Sequence, residues 1–365
     1  SLSFVLIIWT QGLYKGMNDQ AERASVEAIL GGGQYWQDQY DPLDVFSLEE
    51  AHAVVPDSLG QMIADNRATA ILVVQGTLYP KGRIHPAIIK GIDPDQKLLS
   101  LPTQFLKTGE DRFPALIGRR MAKNTGLAVG DTVTLRWRDA NGTFDAQDAE
   151  IVQVMKTVVQ GIDQGQVWIP LNRLRTLAGM EGEASLVVVA PGVVERPAAS
   201  GWVFRDLDFL LSDVKQLVQM KSAGATILYT VLILLAMLAI FDTQVLSIFR
   251  RKKEMGTLMA LGFTRGRVIR LFTLEGALHG VLAAVVAALY GIPFLTWFAR
   301  HGWTLPQGMD SYGFAIGEKL FPVYSLGLVI ATTLLVLVIT TIVSFLPTRK
   351  IARLKPTDAL RGRMS

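Results

Sequence analysis

Two stretches of this chain carry no charged side chain: residues 225–241, ATILYTVLILLAMLAIF, and residues 323–346, VYSLGLVIATTLLVLVITTIVSFL. A third, residues 268–299, is apolar apart from Arg270, Glu275 and His279. A helix of about 20 apolar residues crosses the roughly 30 Å hydrocarbon core of a bilayer. The pattern therefore predicts membrane-spanning helices over 222–249, 268–299 and 322–346. The opening, SLSFVLIIWTQGLY, has an unbroken apolar run of only six residues. Without a basic flank it is a poor match to a signal peptide. Residues 1–14 read instead as the outer part of a first span whose beginning lies outside this sequence.

Between the first and second spans the period changes. From Lys15, the residues Met17, Ala21, Ala24 and Ala28 recur at three or four until Gly31-Gly32-Gly33. On the return, Leu207, Leu210, Leu211, Val214, Leu217 and Val218 make an apolar stripe leading into the second span. Two stalk helices are expected, over 15–30 and 205–221; if the second is continuous from Leu207 to Phe249, its 43 residues reach roughly 64 Å. Between them lie β-rich runs at 70–79, 87–92, 131–137, 150–155, 166–170 and 185–190, separated by Pro, Gly, Asp and Asn. Helical segments are expected in SLEEAHAVVPDSLGQMIADN, broken by Pro56, and in IGRRMAKNTG, ended by Gly126. DANGTFD, residues 139–145, reads as a hairpin turn, because Asn-Gly readily takes positive φ. About 200 residues can fold as one or two α+β lobes, and two are expected.

Charge supplies the orientation. Residues 15–221 hold 21 Lys and Arg against 26 Asp and Glu, whereas Arg250–Arg270 holds seven basic residues and one acid, Glu254, and Arg349–Arg363 holds six and one. Positive segments stay on the cytoplasmic side. The segment 250–267 and the tail 347–365 are thus cytoplasmic, while residues 15–221 and the short loop 300–321 lie outside. The expected class is a membrane protein of four transmembrane α-helices, the first only partly present, with a large extracytoplasmic α+β domain on helical stalks. Basic side chains beside a bilayer also serve orientation and anionic-lipid contact.

The search for enzyme chemistry returns little. There is no GxxxxGK[ST] phosphate loop, no HExxH and no GxSxG. GGGQYW follows a helix and lacks dinucleotide spacing. His52, His85, His279 and His301 fall in different elements, and with no cysteine there is neither disulfide nor thiolate metal site. Asp93-Pro94-Asp95 reads as a turn. Inside the spans, Asp242, Glu275 and His279 are costly unless paired or wet. Glu275 and His279 share a helix face. They make an interhelical contact, line a polar route, or reach out to the interface.

Residues 251–262, RKKEMGTLMALG, carry the pattern R-x-x-E-[IM]-G-x-L-x-A-[LI]-G. The tail LPTRKIARLKPTDALRG places Pro347, Ala352, Pro356, Ala359, Leu360 and Arg361 in P-x-x-x-x-A-x-x-x-P-x-x-A-L-R. On these motifs the chain resembles the FtsX-like/MacB-type ABC transporter permeases, and on IIKGIDP, LIGRRMAKNTGLAVGDTVTL and QVWIPL it is closest to their lipoprotein-releasing LolC/LolE branch. Glu275 matches an acid usual early in that family's third helix; Asp242 stands where the family commonly has Asn. The resemblance implies a mechanotransmission permease in the bacterial inner membrane, with no cofactor of its own. ATP and Mg would sit on a separate ABC ATPase dimer. A second permease chain, a lipid-anchored substrate and a periplasmic carrier or adaptor would be the other partners, and no nucleic acid. Arg251, Glu254, Met255, Gly256, Leu258, Met259 and Gly262 would be the ATPase-coupling residues. Met255, Leu258 and Met259, at i, i+3 and i+4, would form an apolar patch for a groove on the ATPase. Gly262 would end that helix and Thr264 would cap the next. Relatives in the family that activate cell-wall hydrolases, or export small molecules with an adaptor, offer two alternative functions.

Overall fold

A computed structural model describes residues 2–107, 112–157, 159–304 and 319–352. They fall into two compact units, one formed by residues 19–216 and the other by the described residues before and after them.

The first unit is built on a nine-stranded sheet. In chain order its elements are β1 (Gln34–Gln37), β2 (Ala53–Val54), α2 (Asp57–Ala64), β3 (Ala68–Tyr79), β4 (His85–Ile92), β5 (Pro114–Gly118) and α3 (Arg119–Thr125). There follow β6 (Thr132–Arg138), β7 (Phe144–Met155), α4 (Gln160–Gly165), β8 (Gln166–Pro170), α5 (Leu171–Ala178), β9 (Glu183–Ala184), β10 (Leu186–Val189) and β11 (Trp202–Arg205). The helix α1 (Leu2–Ser25) precedes them and passes through a π turn, Val26–Leu30, that ends at Gly31.

The strand order is β11-β1-β10-β3-β4-β8-β5-β7-β6, with β6 returning to pair with β3. Strand β3 is long enough to do both: Ala68–Ile71 pair with β10 and Gly76–Tyr79 with β6, while its other edge pairs with β4. Six strands, β3-β4-β8-β5-β7-β6, therefore close into a barrel from which β10, β1 and β11 extend. This replaces the two lobes expected from length, because one 12-residue strand belongs to both parts of the sheet.

Alternation along the strands separates two cores. Leu72, Val74, Ile89, Ala115, Ile117, Leu135, Trp137, Ile151, Val167 and Ile169 face one, which Leu59, Met121 and Leu174 complete from α2, α3 and α5. Ile71, Val73, Ile92, Leu116, Trp168, Leu186 and Val188 face the other, under Leu48, Leu106 and Ile162. Burial on both faces is why AILVV is an unbroken apolar run rather than an alternating one. Trp137, fully buried, donates its Nε1–H to the Leu177 carbonyl at 3.2 Å. Lys90 is the exception on the second face: buried, with its ammonium 5.3 Å from the centroid of Trp168, its pKa is lowered by burial to about 8.

Six of the strands coincide with the β-rich runs. β1, β5 and β11 do not; their four or five residues are too few to show a period, and QYWQ is hidden behind three glycines. Pro56 starts α2 instead of breaking a longer helix, occupying its N-cap. The Asn-Gly hairpin joins β6 to β7 with Gly142 at φ +80°, and the Asp139 carboxylate accepts from the amides of Asn141 and Thr143 at 2.9 and 2.7 Å.

The return helix is not continuous. A short helix α6 (Leu207–Leu210), capped by the Asp206 carboxylate on the Phe209 amide at 2.8 Å, stops at Leu211, and α7 runs Ser212–Arg250. The Ser212 hydroxyl donates to the Phe209 carbonyl at 2.6 Å, offering the backbone a partner outside the helical ladder.

The second unit contains the apolar helices. After α7 come α8 (Lys252–Ala260), α9 (Arg265–His301) and α10 (Leu326–Ala352). Among the described residues, three helices are long and apolar enough to cross a membrane, over Thr230–Arg250, Arg265–His301 and Leu326–Arg349. The apolar start of α1 packs beside them: Phe4, Val5 and Ile8 share a core with Ala287, Leu295 and Val336. Short strands Trp303–Thr304 and Lys319–Leu320 pair antiparallel.

Helices α9 and α10 meet through small residues. Gly276 and Gly280 lie one turn apart on α9, and a Cβ added at Gly276 would sit 2.4 Å from the Ser344 hydroxyl, one at Gly280 3.1 Å from the Thr340 methyl. Ser344 and Thr340 satisfy their hydroxyls on their own helix, at the Thr340 and Val336 carbonyls. Close backbone approach by small residues is the usual basis of helix association where lipid offers no hydrophobic drive.

Candidate functional site

The basic segment that follows α7 resolves into helix α8, a reversal and the start of α9. Gly262, at φ +94°, allows the reversal, and the amides of Gly262 and Phe263 donate to the Met259 and Leu258 carbonyls at 3.1 Å each. Thr264 sits at the N-cap of α9, but its hydroxyl makes no capping bond.

Helix α8 docks on α9 through a small core in which Ile248, Met255, Val268 and Phe272 are buried and Leu258, Met259 and Ile269 pack around them. This corrects the expected patch. Met255 is 1% exposed and faces α9, so its side chain belongs to the docking core and not to an outward handle. Gly256 is likewise buried, while Leu258 and Met259 are half-buried.

Arg251 joins the two helices electrostatically. Its Nε donates to Glu254 Oε2 at 2.7 Å, its Nη1 donates to Glu275 Oε1, and its guanidinium lies 4.9 Å from the centroid of Phe272. Hydrogen bonding to Glu254, then to Glu275, raises the Arg251 pKa further above its already high value. The family-pattern arginine thus pairs both with the family-pattern acid and with the acid on α9.

The large apolar side chains on the outward surface are Leu261, 74% exposed, and Phe263, 43% exposed, on either side of Gly262. Sequence reasoning took Leu261 as part of the motif and did not single out Phe263. The available signal was two large apolar residues at a helix-ending glycine, where neither helix can cover them.

The Glu275 carboxylate pairs with Arg251 and not with the His279 ring; His279 is exposed and its Nδ1 bonds the Glu275 main-chain carbonyl at 2.8 Å. Asp242 on α7 is exposed and has no ion-pair partner among the described residues. Pro347 is buried inside α10, which runs through it to Ala352, past the expected start of the tail at 347. Pro356 and Leu360 lie outside the described residues.

Comparison with known proteins matches residues 1–201 to the MacB-like periplasmic core domain and residues 226–356 to the FtsX-like permease C-terminal family. The lipoprotein-releasing system transmembrane protein LolC of Xylella fastidiosa (strain 9a5c) is 24% identical over 313 residues, covering 76% of this chain and 74% of that one. LolC of Neisseria meningitidis serogroup B is 20% identical over 324 residues, 79% of this chain and 76% of that one. An uncharacterized ABC transporter permease of Methanocaldococcus jannaschii is 22% identical, covering 69% of this chain and 63% of that one. The extracellular domain of the ABC-type transporter YknZ from Gram-positive bacteria covers 44% of this chain and 83% of that one at 17% identity and a TM-score of 0.29, too low to inform the fold. With a periplasmic core domain matched over more than half the chain and a permease segment following it, the chain belongs to the FtsX/MacB/LolC family of ABC transporter permeases.

Proposed function

We propose that this chain is the permease subunit of a mechanotransmission-type ABC transporter that extracts lipoprotein or another lipid-anchored substrate from the inner membrane. The observation that carries the reading is α8: a short helix clamped to α9 by Arg251 and Met255, with Leu261 and Phe263 uncovered at its end. Apolar side chains held on a rigid support at the basic end of a span suit a groove on an ATPase. ATP and Mg belong to that partner. Dimerisation of the ATPase on ATP pushes α8, α9 follows because the clamp leaves no slack, and the movement reaches the periplasmic side.

Helix α7 supports a second permease chain, the same or a related one. Only 6% of its apolar window is buried, against 17% for α9 and 22% for α10, and Asp242 lies on it uncovered. An acid facing lipid is costly, so a partner helix or a wet cavity covers it. Four spans per chain, counting α1, make this chain half of the membrane unit. The lipid-anchored substrate rests on the LolC relatives, and the match to a MacB-like core keeps efflux with a periplasmic adaptor as the second reading.

The test is reconstitution of the permease with its ATPase in vesicles carrying an acylated protein. ATP-dependent release of the acylated protein supports extraction. A hydrolase or an adaptor copurifying in its place, with no release, overturns it in favour of a signalling scaffold or an efflux pump. Glu254→Lys or Leu258→Asp is expected to uncouple ATP hydrolysis from release while the protein remains folded.

A further inference from the structure

The basic ends of α9 and α10 enclose a feature that shares one side chain, Phe263, with the proposed coupling surface. Between them lies an open trough of about 490 Å³. Its walls are apolar, with Phe263, Leu271, Leu274, Ala277 and Phe345, and Arg267 and Arg270 also line it. Both arginines are exposed and have no ion-pair partner among the described residues. Arg349 adds a third positive charge, with its guanidinium 6.0 Å from the centroid of Phe345.

Thr273 also lines the trough. Thr243, Thr257, Thr296, Thr340, Thr341 and Thr348 all donate their hydroxyls to a carbonyl of the preceding turn. The Thr273 hydroxyl is buried and has no hydrogen-bond partner among the described residues. A buried hydroxyl without a partner is costly and asks for one.

The trough thus combines cations, an idle hydroxyl and a long apolar wall at the end of two membrane-spanning helices. A soluble anion would match the arginines and leave the wall wet; an acyl chain alone would leave the arginines unmatched. A molecule with an anionic phosphate at one end and hydrocarbon at the other satisfies both, and basic pockets between spans on the cytoplasmic side are where such headgroups bind. We propose that this trough holds one anionic phospholipid of the inner leaflet, its phosphate on Arg267 and Arg270, its linkage oxygens on Thr273, and an acyl chain along Leu271, Leu274 and Phe345. The bound lipid then wedges α9 against α10 beside the clamp on Arg251. The assignment is independent of which substrate is transported.

Native mass spectrometry of the purified full chain, titrated with phosphatidylglycerol and with phosphatidylcholine, tests it. One phosphatidylglycerol is expected to bind in preference to phosphatidylcholine. Arg267→Gln/Arg270→Gln should weaken it about thirtyfold, from the loss of two interfacial cations. Arg250→Gln/Lys253→Gln removes the same charge from outside the trough and should leave binding intact. Leu274→Trp keeps every charge, fills the trough from a 61% exposed position that tolerates bulk, and should abolish the single tight site. Equal loss in the two double variants, full binding by Leu274→Trp, equal retention of phosphatidylcholine, or complete displacement by inorganic phosphate would each overturn the assignment.

Discussion

Replacing Met255 by alanine tests the packing that holds α8 on α9. Met255 is 1% exposed and packed on Ile248, Val268 and Phe272. Truncating a buried Met costs about 2–5 kcal/mol. The Arg251–Glu254 ion pair is different: at 2.7 Å its geometry is good, but it lies within the first turn of α8 and does not reach α9, and its side chains are 36% and 58% exposed. Exposed pairs contribute about 0.2–1 kcal/mol. A nine-residue helix has little stability of its own, so docking governs its exchange with solvent. Met255→Ala should raise the undocked population at least about thirtyfold, whereas Glu254→Gln should raise it about fivefold at most. Hydrogen exchange of the amides of residues 255–260, in the full chain in lipid nanodiscs, reads this directly. Release of acylated protein per ATP should fall in the same order. Unchanged exchange in Met255→Ala, or faster exchange in Glu254→Gln than in Met255→Ala, refutes the docking core as the main support.

Other outcomes follow from the packing. Gly276→Val should destabilise the α9–α10 contact by about 1–3 kcal/mol through overpacking against Ser344, seen as a lower melting temperature in detergent, while Gly266→Ala, in open space, should not. Lys90 binds its proton less tightly when folded, at about 8, than at its ordinary 10.5. The unfolded chain therefore holds more protons between these values, and stability should rise as pH increases from 8 to about 10.5. Lys90→Met should remove that rise and stabilise the chain at pH 7 by up to roughly 3 kcal/mol, measured as thermal stability across the pH range. Asp242→Leu should lower the yield of permease pairs in crosslinking if a polar contact covers α7, and raise or preserve it if only apolar packing does.

Much of the architecture was legible because it depends on long runs. The charge-free stretches announced α7 and α10, and the Lys and Arg excess marked which ends are alike. The barrel strands with buried faces on both sides announced themselves as apolar runs. Closure of the barrel was not legible, since it depends on β3 pairing with β10 and β6 along one edge. Spacing at i, i+3 and i+4 groups Met255 with Leu258 and Met259 but cannot say which way the group faces. Only the reversal at Gly262, which folds α9 back alongside, turns Met255 inward. Arg251 and Glu275 lie 24 residues apart, so their ion pair depended on the same reversal. The turn residues Leu261 and Phe263 were left outside for that reason.

The central claim is that the end of α8 is the surface an ATPase grips. The chain contains no cysteine, so a single cysteine placed at Leu261 or Phe263 is a unique reporter. Disulfide or maleimide crosslinking of these variants, in membranes containing the partner ATPase with cysteines in its surface groove, is the most direct measurement. The account predicts a permease–ATPase adduct from Leu261→Cys and Phe263→Cys, increased by ATP, and none from Met255→Cys. Adducts absent from both turn positions, with the ATPase still copurifying, would contradict it.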